Sequence, residues 1–118
     1  SDYVGKGKYI LVDFWASWCN PCIQEIPNMK DVYNKYHGKG LEILSVSLDQ
    51  DETDWRNALQ ECNMPWIQSI DNETGVNSAA YKYLIDAIPA IFLINSDGVI
   101  IASQLRGESI GKTLEKFF

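Results

Sequence analysis

Several residue types that define common functional classes are scarce in this sequence. Three cysteines, an odd number, do not make a disulfide framework. A structural zinc site needs four ligands, commonly from a second Cys-x-x-Cys or a histidine pair. The sequence has one Cys-x-x-Cys and a single histidine, so no metal site is expected. Ten basic residues against sixteen acidic ones give a net charge of −6 without a cluster of Lys and Arg, which argues against binding to nucleic acid or anionic membranes.

Long apolar runs are missing as well. No run approaches the about 18 residues of a transmembrane helix, so the domain itself is not expected to be membrane-inserted. An apolar content of 46% and a charged content of 22% are ordinary for a globular protein. No repeat or linker divides the chain, so residues 1–118 are predicted to form one domain. Because the first apolar strand starts after only eight residues, we expect a piece excised from a longer chain.

Apolar strands alternate with amphipathic helices, which predicts an α/β fold. Strands are predicted at 9–15, 41–48, 90–94 and 99–103, with a short edge strand at 66–70. Helices are predicted from about 20 to near 37, around 55–62, between 76 and 84, and from about 108. The first strand–helix–strand succession implies a parallel crossover, and the turn at 96–98 predicts an antiparallel hairpin.

Cys19 and Cys22 lie where the first strand changes into the first helix. The strand at 9–15 is apolar enough to be buried on both faces, and helical spacing starts at Ile23. The cysteines therefore fall on the first helical turn, where unpaired N–H groups and the helix dipole favour a thiolate. This position lowers the pKa of Cys19 and makes it the expected nucleophile. Pro21 fits the same turn, because its missing N–H costs nothing there.

The segment 12–22, Val-Asp-Phe-Trp-Ala-Ser-Trp-Cys-Asn-Pro-Cys, resembles the active-site segment of the thioredoxin superfamily. The next five residues, Ile-Gln-Glu-Ile-Pro, are similar to the TlpA/ResA branch of extracytoplasmic thiol–disulfide oxidoreductases, as is the hairpin turn at 96–100. Ile88-Pro89 resembles the cis-proline loop of the superfamily.

The resemblance covers nearly the whole chain and implies a thioredoxin-like fold, in which helices flank a central mixed β-sheet. It also implies that a helix and a short strand are inserted before the cis-proline loop, since the stretch 49–89 is longer than in plain thioredoxin.

The resemblance implies roles for four residues around the thiols. Cys19 becomes the attacking thiolate, exposed at the helix start, and Cys22 the more buried resolving thiol. Asp13, an acid in an apolar strand, matches the buried aspartate that handles the proton of the resolving cysteine; the alternative is a strand-end aspartate facing water. Glu25 matches a glutamate that tunes the thiols; the alternative is a solvated helix residue.

A substrate surface is implied next to the thiols. Trp18 is expected to offer apolar contact area, with Asn20 and Pro21 between the cysteines. A cis-proline loop would bring Ile88 and Pro89 to the same place, where the Ile88 backbone offers strand-like hydrogen bonds to a substrate peptide.

Four residues outside the motif also receive predictions. Asp49 and Asp51 are predicted to cap the second helix. Cys62, on the apolar stripe of that helix, is expected to be a small core residue, with a redox partner thiol as the alternative. Ser45 stands where cytosolic thioredoxins carry a lysine near the buried aspartate, so that aspartate is expected to titrate differently.

The favoured function is that of a thiol–disulfide oxidoreductase that reduces protein disulfides through a mixed disulfide. The resemblance implies no cofactor beyond the redox-active Cys19–Cys22 disulfide. The expected partners are a disulfide-containing protein substrate and an upstream thiol reductant protein. The domain is expected to act as a monomer in the periplasm or another extracytoplasmic compartment, with a membrane anchor in a missing N-terminal segment as one arrangement. Cytochrome c maturation is one candidate pathway.

Three other functions stay open. A disulfide oxidase or isomerase would use the same residues, because direction depends on reduction potential. A redox-inert binding module could use the surface of Trp18, Ile88 and Ala90. Peroxide reduction is disfavoured, because peroxiredoxins carry Thr or Ser at the position of Ala16 and Pro at the position of Val12.

Overall fold

The computed structural model describes residues 8–71 and 87–118 of the 118-residue chain. The strands of this part are β1 (Tyr9–Trp15), β2 (Leu41–Ser47), β3 (Ile67–Ile70), β4 (Ala90–Ile94) and β5 (Ile100–Ala102). Its helices are α1 (Asn20–Tyr36), followed by a 3-10 turn at His37–Lys39, α2 (Glu52–Cys62) and α3 (Glu108–Phe117). The helix predicted between 76 and 84 lies outside the described residues. None of the described helices combines the length and the apolar character needed to span a membrane.

The strands form one mixed sheet in the order β3-β2-β1-β4-β5. β1, β2 and β3 run parallel to one another, whereas β4 is antiparallel to both β1 and β5. The predicted parallel crossover through α1 and the predicted hairpin of β4 and β5 are therefore confirmed. β3 lies at the edge of the sheet, as predicted for the short strand at 66–70.

β1 occupies the middle of the sheet and is buried on both faces, as its apolar sequence predicts. Its even-numbered residues Val12 and Phe14 pack in one cluster with β2 and β4. Leu11 packs in a second cluster, with residues of α1 and α3. Trp15 joins a third cluster, which contains both cysteines of the Cys-x-x-Cys motif. Because side chains alternate along a strand, Asp13 lies between Leu11 and Trp15 on the face covered by α1.

Candidate active site

Cys19 and Cys22 are joined by a disulfide at the start of α1, with their Cα atoms 5.2 Å apart. Cys19 is the N-cap residue: its backbone is extended, and its Sγ accepts a hydrogen bond from the Cys22 N–H at 3.3 Å. Pro21 lies in the first helical turn, where proline leaves no hydrogen bond unmade. The structure thus confirms the predicted position of the pair at the N-terminus of α1.

The prediction that Cys19 is exposed is wrong. Only 6% of its surface is accessible, against 1% for Cys22, because Trp15, Ala58 and Ile88 pack in the cluster that contains the pair. Cys19 is nevertheless the more accessible of the two cysteines. This agrees with attack by Cys19 and resolution by Cys22, because the attacking thiolate has to reach the substrate.

Of the predicted substrate-contact residues, Trp18, Asn20 and Pro21 adjoin the cysteines in the sequence, and Ile88 packs against their cluster. Trp18 is 69% exposed, a high value for so large an apolar side chain. Asn20 and Pro21 are exposed on the first turn of α1. The Ile88–Pro89 peptide bond is cis, as predicted, and Ile88, which lies just before β4, packs against the cysteine cluster. The disulfide therefore lies beside an apolar surface made from two separate parts of the chain.

Asp13 is almost fully buried, so the interpretation of a water-facing aspartate is wrong. The pKa of Asp13 is raised from 3.8 to about 7: burial is the main cause, a hydrogen bond from Ser45 opposes the rise, and the negative charge of Glu25 adds to it. That bond joins the Ser45 hydroxyl to Asp13 Oδ2 at 3.0 Å. A carboxyl group with a pKa near neutrality can both take up and release a proton under physiological conditions.

Glu25 is buried on α1, so it is not a solvated helix residue either. Its Oε1 accepts the Gly107 N–H at 2.7 Å and the Asn28 side-chain amide at 3.4 Å. Its Oε2 forms an ion pair with Arg106 Nε at 3.5 Å. Glu25 therefore ties α1 to the loop before α3 and also places a negative charge near Asp13.

The site includes a buried carboxylate that the sequence interpretation assigned to helix capping. Asp51 alone caps α2, through a hydrogen bond from the Thr53 N–H at 2.8 Å. Asp49 instead accepts the Ser17 N–H with both oxygens, at 3.1 and 3.0 Å, and the Ser17 hydroxyl at 2.6 Å. It also accepts the hydroxyl of Ser47. Asp49 thus fastens the turn between β1 and α1, next to the disulfide, to the end of β2.

The signal for this role was the pair of serines in the apolar strand β2. A buried hydroxyl needs a hydrogen-bond partner, so Ser45 and Ser47 indicate polar side chains beside them. The sequence alone does not show that Ser17, 32 residues before Asp49, completes the second group.

Asp49→Asn is expected to lower the free energy of unfolding by about 2 to 3 kcal/mol. The variant loses buried hydrogen bonds to a carboxylate, and the new side-chain NH₂ group faces the donor groups of Ser17 and Ser47. Urea unfolding of the oxidised protein measures the change. Asp51→Asn is the matched control: Asn caps a helix as well as Asp, so its unfolding midpoint should stay close to that of the parent. Equal midpoint shifts in the two variants would contradict the role of Asp49.

Cys62 packs at the margin of the main core and is half-buried. Burial raises the pKa of its thiol, as does the charge of Glu61, while Lys30 acts in the opposite direction. A raised pKa lowers the thiolate fraction, which argues against a reactive thiol, but Cys62 lies at the edge of the core and is not the buried core residue that was predicted. Within residues 8–71 and 87–118, no group of three or more His, Cys, Asp or Glu side chains is arranged to hold a metal ion.

Comparison with known proteins gives matches over most of the chain. A thioredoxin-like family model matches residues 7–100. The thiol-disulfide oxidoreductase ResA of Bacillus cereus is 32% identical over 112 residues, which are 95% of this chain and 62% of the relative. The chain thus spans less than two thirds of the length of such relatives.

Two solved structures from Bacteroides superimpose closely. The thioredoxin domain of a thiol-disulfide oxidoreductase from Bacteroides vulgatus is 39% identical, with a TM-score of 0.89 over 98% of this chain and 81% of that one. A thiol:disulfide interchange protein from a Bacteroides species is also 39% identical, with a TM-score of 0.85 over 98% of this chain and 75% of that one.

Proposed function

Because this chain belongs to the thioredoxin-like family, we propose that it is a thiol–disulfide oxidoreductase that reduces disulfides in protein substrates. The observation that carries the proposal is the Cys19–Cys22 disulfide at the N-terminus of α1, on the sheet face that also holds a buried carboxyl group of near-neutral pKa. The relatives described above are named thiol-disulfide oxidoreductases or interchange proteins, which supports the same activity.

The first step is nucleophilic attack by Cys19. In the reduced protein, the Cys19 thiolate attacks one sulfur of the substrate disulfide, that S–S bond breaks, and the other substrate sulfur leaves as a thiolate. The product is a mixed disulfide between Cys19 and the substrate. The Cys22 N–H, which points at Cys19 Sγ in the oxidised structure, is placed to stabilise the thiolate before attack.

The second step is resolution by Cys22. Asp13 takes the proton of the Cys22 thiol, and the resulting thiolate attacks Cys19 Sγ. The Cys19–Cys22 disulfide forms, the second substrate sulfur leaves, and two electrons have passed to the substrate. An upstream thiol reductant protein then has to return two electrons to the pair.

We assign the substrate surface to Trp18, Asn20 and Pro21, which are exposed, and to the half-buried Ile88 and Pro89. Trp18 supplies apolar contact area for the residues that flank the substrate disulfide. The backbone of Ile88, whose side chain packs against the cysteine cluster, is placed to pair with an extended substrate peptide.

No cofactor beyond the redox-active disulfide takes part in either step. We place the monomeric domain in an extracytoplasmic compartment, where substrate disulfides persist long enough to need a reductant.

The reduction potential of the Cys19–Cys22 pair tests this proposal. The protein is equilibrated with dithiothreitol or glutathione redox buffers and followed by tryptophan fluorescence, since Trp15 packs in the cysteine cluster. We expect a value near or below about −250 mV, on the thioredoxin side of the scale. A value of about −120 to −180 mV would indicate a disulfide oxidase or isomerase instead. Failure to form the disulfide would indicate a redox-inert binding module.

A further inference from the structure

Ser45 lies in the middle of a buried hydrogen-bond chain that joins Trp66 to Asp13. Trp66 Nε1 lies 2.8 Å from Ser45 Oγ, and Ser45 Oγ lies 3.0 Å from Asp13 Oδ2. All three residues are buried. Ser45 on β2 is the register partner of Asp13 on β1, and Trp66 immediately precedes β3. This series of hydrogen bonds therefore crosses the face of the sheet that α1 covers.

The chemistry of indole determines which group donates and which accepts in each of these two hydrogen bonds. The Trp66 Nε1–H donates hydrogen bonds and never accepts them, so Ser45 Oγ must be the acceptor at that contact. A serine hydroxyl has one proton. Of the two partners of Ser45 Oγ within the described residues, only Asp13 Oδ2 can accept the hydrogen bond that this proton donates. Each bond polarises the next in the same sense, which strengthens the donation to Asp13.

We propose that Trp66 is a positioning residue for proton transfer at Cys22: its indole N–H holds the Ser45 hydroxyl as a donor to Asp13 Oδ2 and leaves Oδ1 as the proton-carrying oxygen. This inference rests on the proposed function, which makes Asp13 the acceptor of the Cys22 proton. Asp13 Oδ1 has no hydrogen-bond partner in the part of the chain that the structure describes, in agreement with this division between the two oxygens.

The effect on Asp13 follows from the state that each arrangement favours. A hydroxyl that donates a hydrogen bond to a carboxyl group stabilises its ionised form, whereas a hydroxyl free to rotate can also accept a hydrogen bond from the neutral acid. Trp66 suppresses the second arrangement. Trp66 thereby counteracts the preference of the buried Asp13 for its neutral form. It does so without the positively charged lysine that cytosolic thioredoxins carry near the carboxylate.

The charged and titratable groups around Asp13 set the background for this effect. From α1, Glu25 raises the pKa of Asp13 by its negative charge and is itself paired with Arg106. Cys22, also on α1, packs in the cluster with Trp15, the next β1 residue on the same face. From β4, the register partner of Asp13 is Ile91, which does not titrate.

The test is the titration of the Asp13 carboxyl carbon by ¹³C NMR in the oxidised protein. Trp66→Phe removes the N–H donor, and we expect the Asp13 titration midpoint to move upward by about half a pH unit. In a Ser45→Ala background, Trp66→Phe should not change the Asp13 midpoint further, because the Ser45 hydroxyl that links Trp66 to Asp13 is absent. If Trp66→Phe does not fold, benzothienylalanine at position 66 keeps the ring shape and lacks the N–H.

Trp55→Phe is the matched control, because the Trp55 N–H has no partner among the described residues. It should leave the Asp13 midpoint unchanged. An unchanged midpoint in Trp66→Phe would overturn the inference, as would the same shift with and without Ser45.

A second readout is the pH profile of disulfide reduction, which should move with the Asp13 midpoint in Trp66→Phe. A shifted midpoint with an unmoved profile would overturn the role in proton transfer. If the parent protein fails to reduce disulfides at all, the proposed function fails, while the NMR titration in the oxidised form still decides the hydrogen-bond arrangement.

Discussion

Cys19→Ser is expected to reduce the rate of insulin disulfide reduction to the uncatalysed background, by about a thousandfold or more, because the nucleophile is gone. Cys22→Ser is expected to give a different defect. Its Cys19 still attacks, but no second thiol can release the substrate, so the mixed disulfide accumulates. Non-reducing electrophoresis and mass spectrometry of the intact adduct distinguish the two variants.

Cys62→Ser serves as the control for these variants. Cys62 is half-buried and the pKa of its thiol is raised, so its removal should leave the rate of insulin reduction within about twofold of the parent rate. If Cys62→Ser lost activity as severely as Cys19→Ser, the assignment of chemistry to the Cys-x-x-Cys pair alone would be wrong. Turnover by Cys22→Ser at the parent rate would contradict the resolving role of Cys22.

The fold and the position of the thiols could be predicted from the sequence because they depend on local patterns. An apolar strand followed by Cys-x-x-Cys and a helical period places the pair at a helix N-terminus whatever the rest of the chain does. The burial of Asp13 was predictable for the same reason, since Leu11 and Trp15, which lie on the same face of β1, need an apolar environment. The cis form of the Ile88–Pro89 bond was predicted from family resemblance rather than from the residues themselves.

The roles of Asp49 and Trp66 could not be predicted, because they depend on contacts between distant parts of the chain. Asp49 follows β2 and precedes a helix, a position typical of a capping residue, yet its carboxylate faces Ser17. Trp66 was predicted to be part of an edge strand, but it precedes β3 and its indole reaches Ser45. The low exposure of Cys19 has the same origin, since Ala58 of α2 and Ile88 come from separate segments.

Asp13→Asn is expected to make the protein more stable and less active, with a pH dependence that identifies the carboxyl group. Folding raises the pKa of Asp13 from 3.8 to about 7. Between these values the folded protein holds a proton that the unfolded chain has released, so the free energy of unfolding falls as the pH rises. Each pKa unit corresponds to about 1.4 kcal/mol, which makes the loss about 4 kcal/mol by pH 8.

Asparagine resembles the protonated acid and does not ionise, so Asp13→Asn should escape this loss. Guanidinium unfolding of both proteins at pH 4.5 and pH 8 measures the difference, and other titrating groups cancel in the comparison. We expect an advantage for the variant of about 1 kcal/mol at pH 4.5, which grows to about 4 kcal/mol at pH 8. A difference that is the same at both pH values would contradict the raised pKa of Asp13.

The activity of Asp13→Asn should change in the opposite direction. Without a proton acceptor, Cys22 must lose its proton to solvent, which should slow the release of a thiol bound to Cys19 by about a hundredfold at pH 7. The defect should shrink as the pH rises, because hydroxide ion then takes the thiol proton without a carboxylate. A purely structural residue would lose stability and activity together. A gain in stability together with a slower Cys22 step therefore indicates that buried Asp13 destabilises the fold and acts in proton transfer.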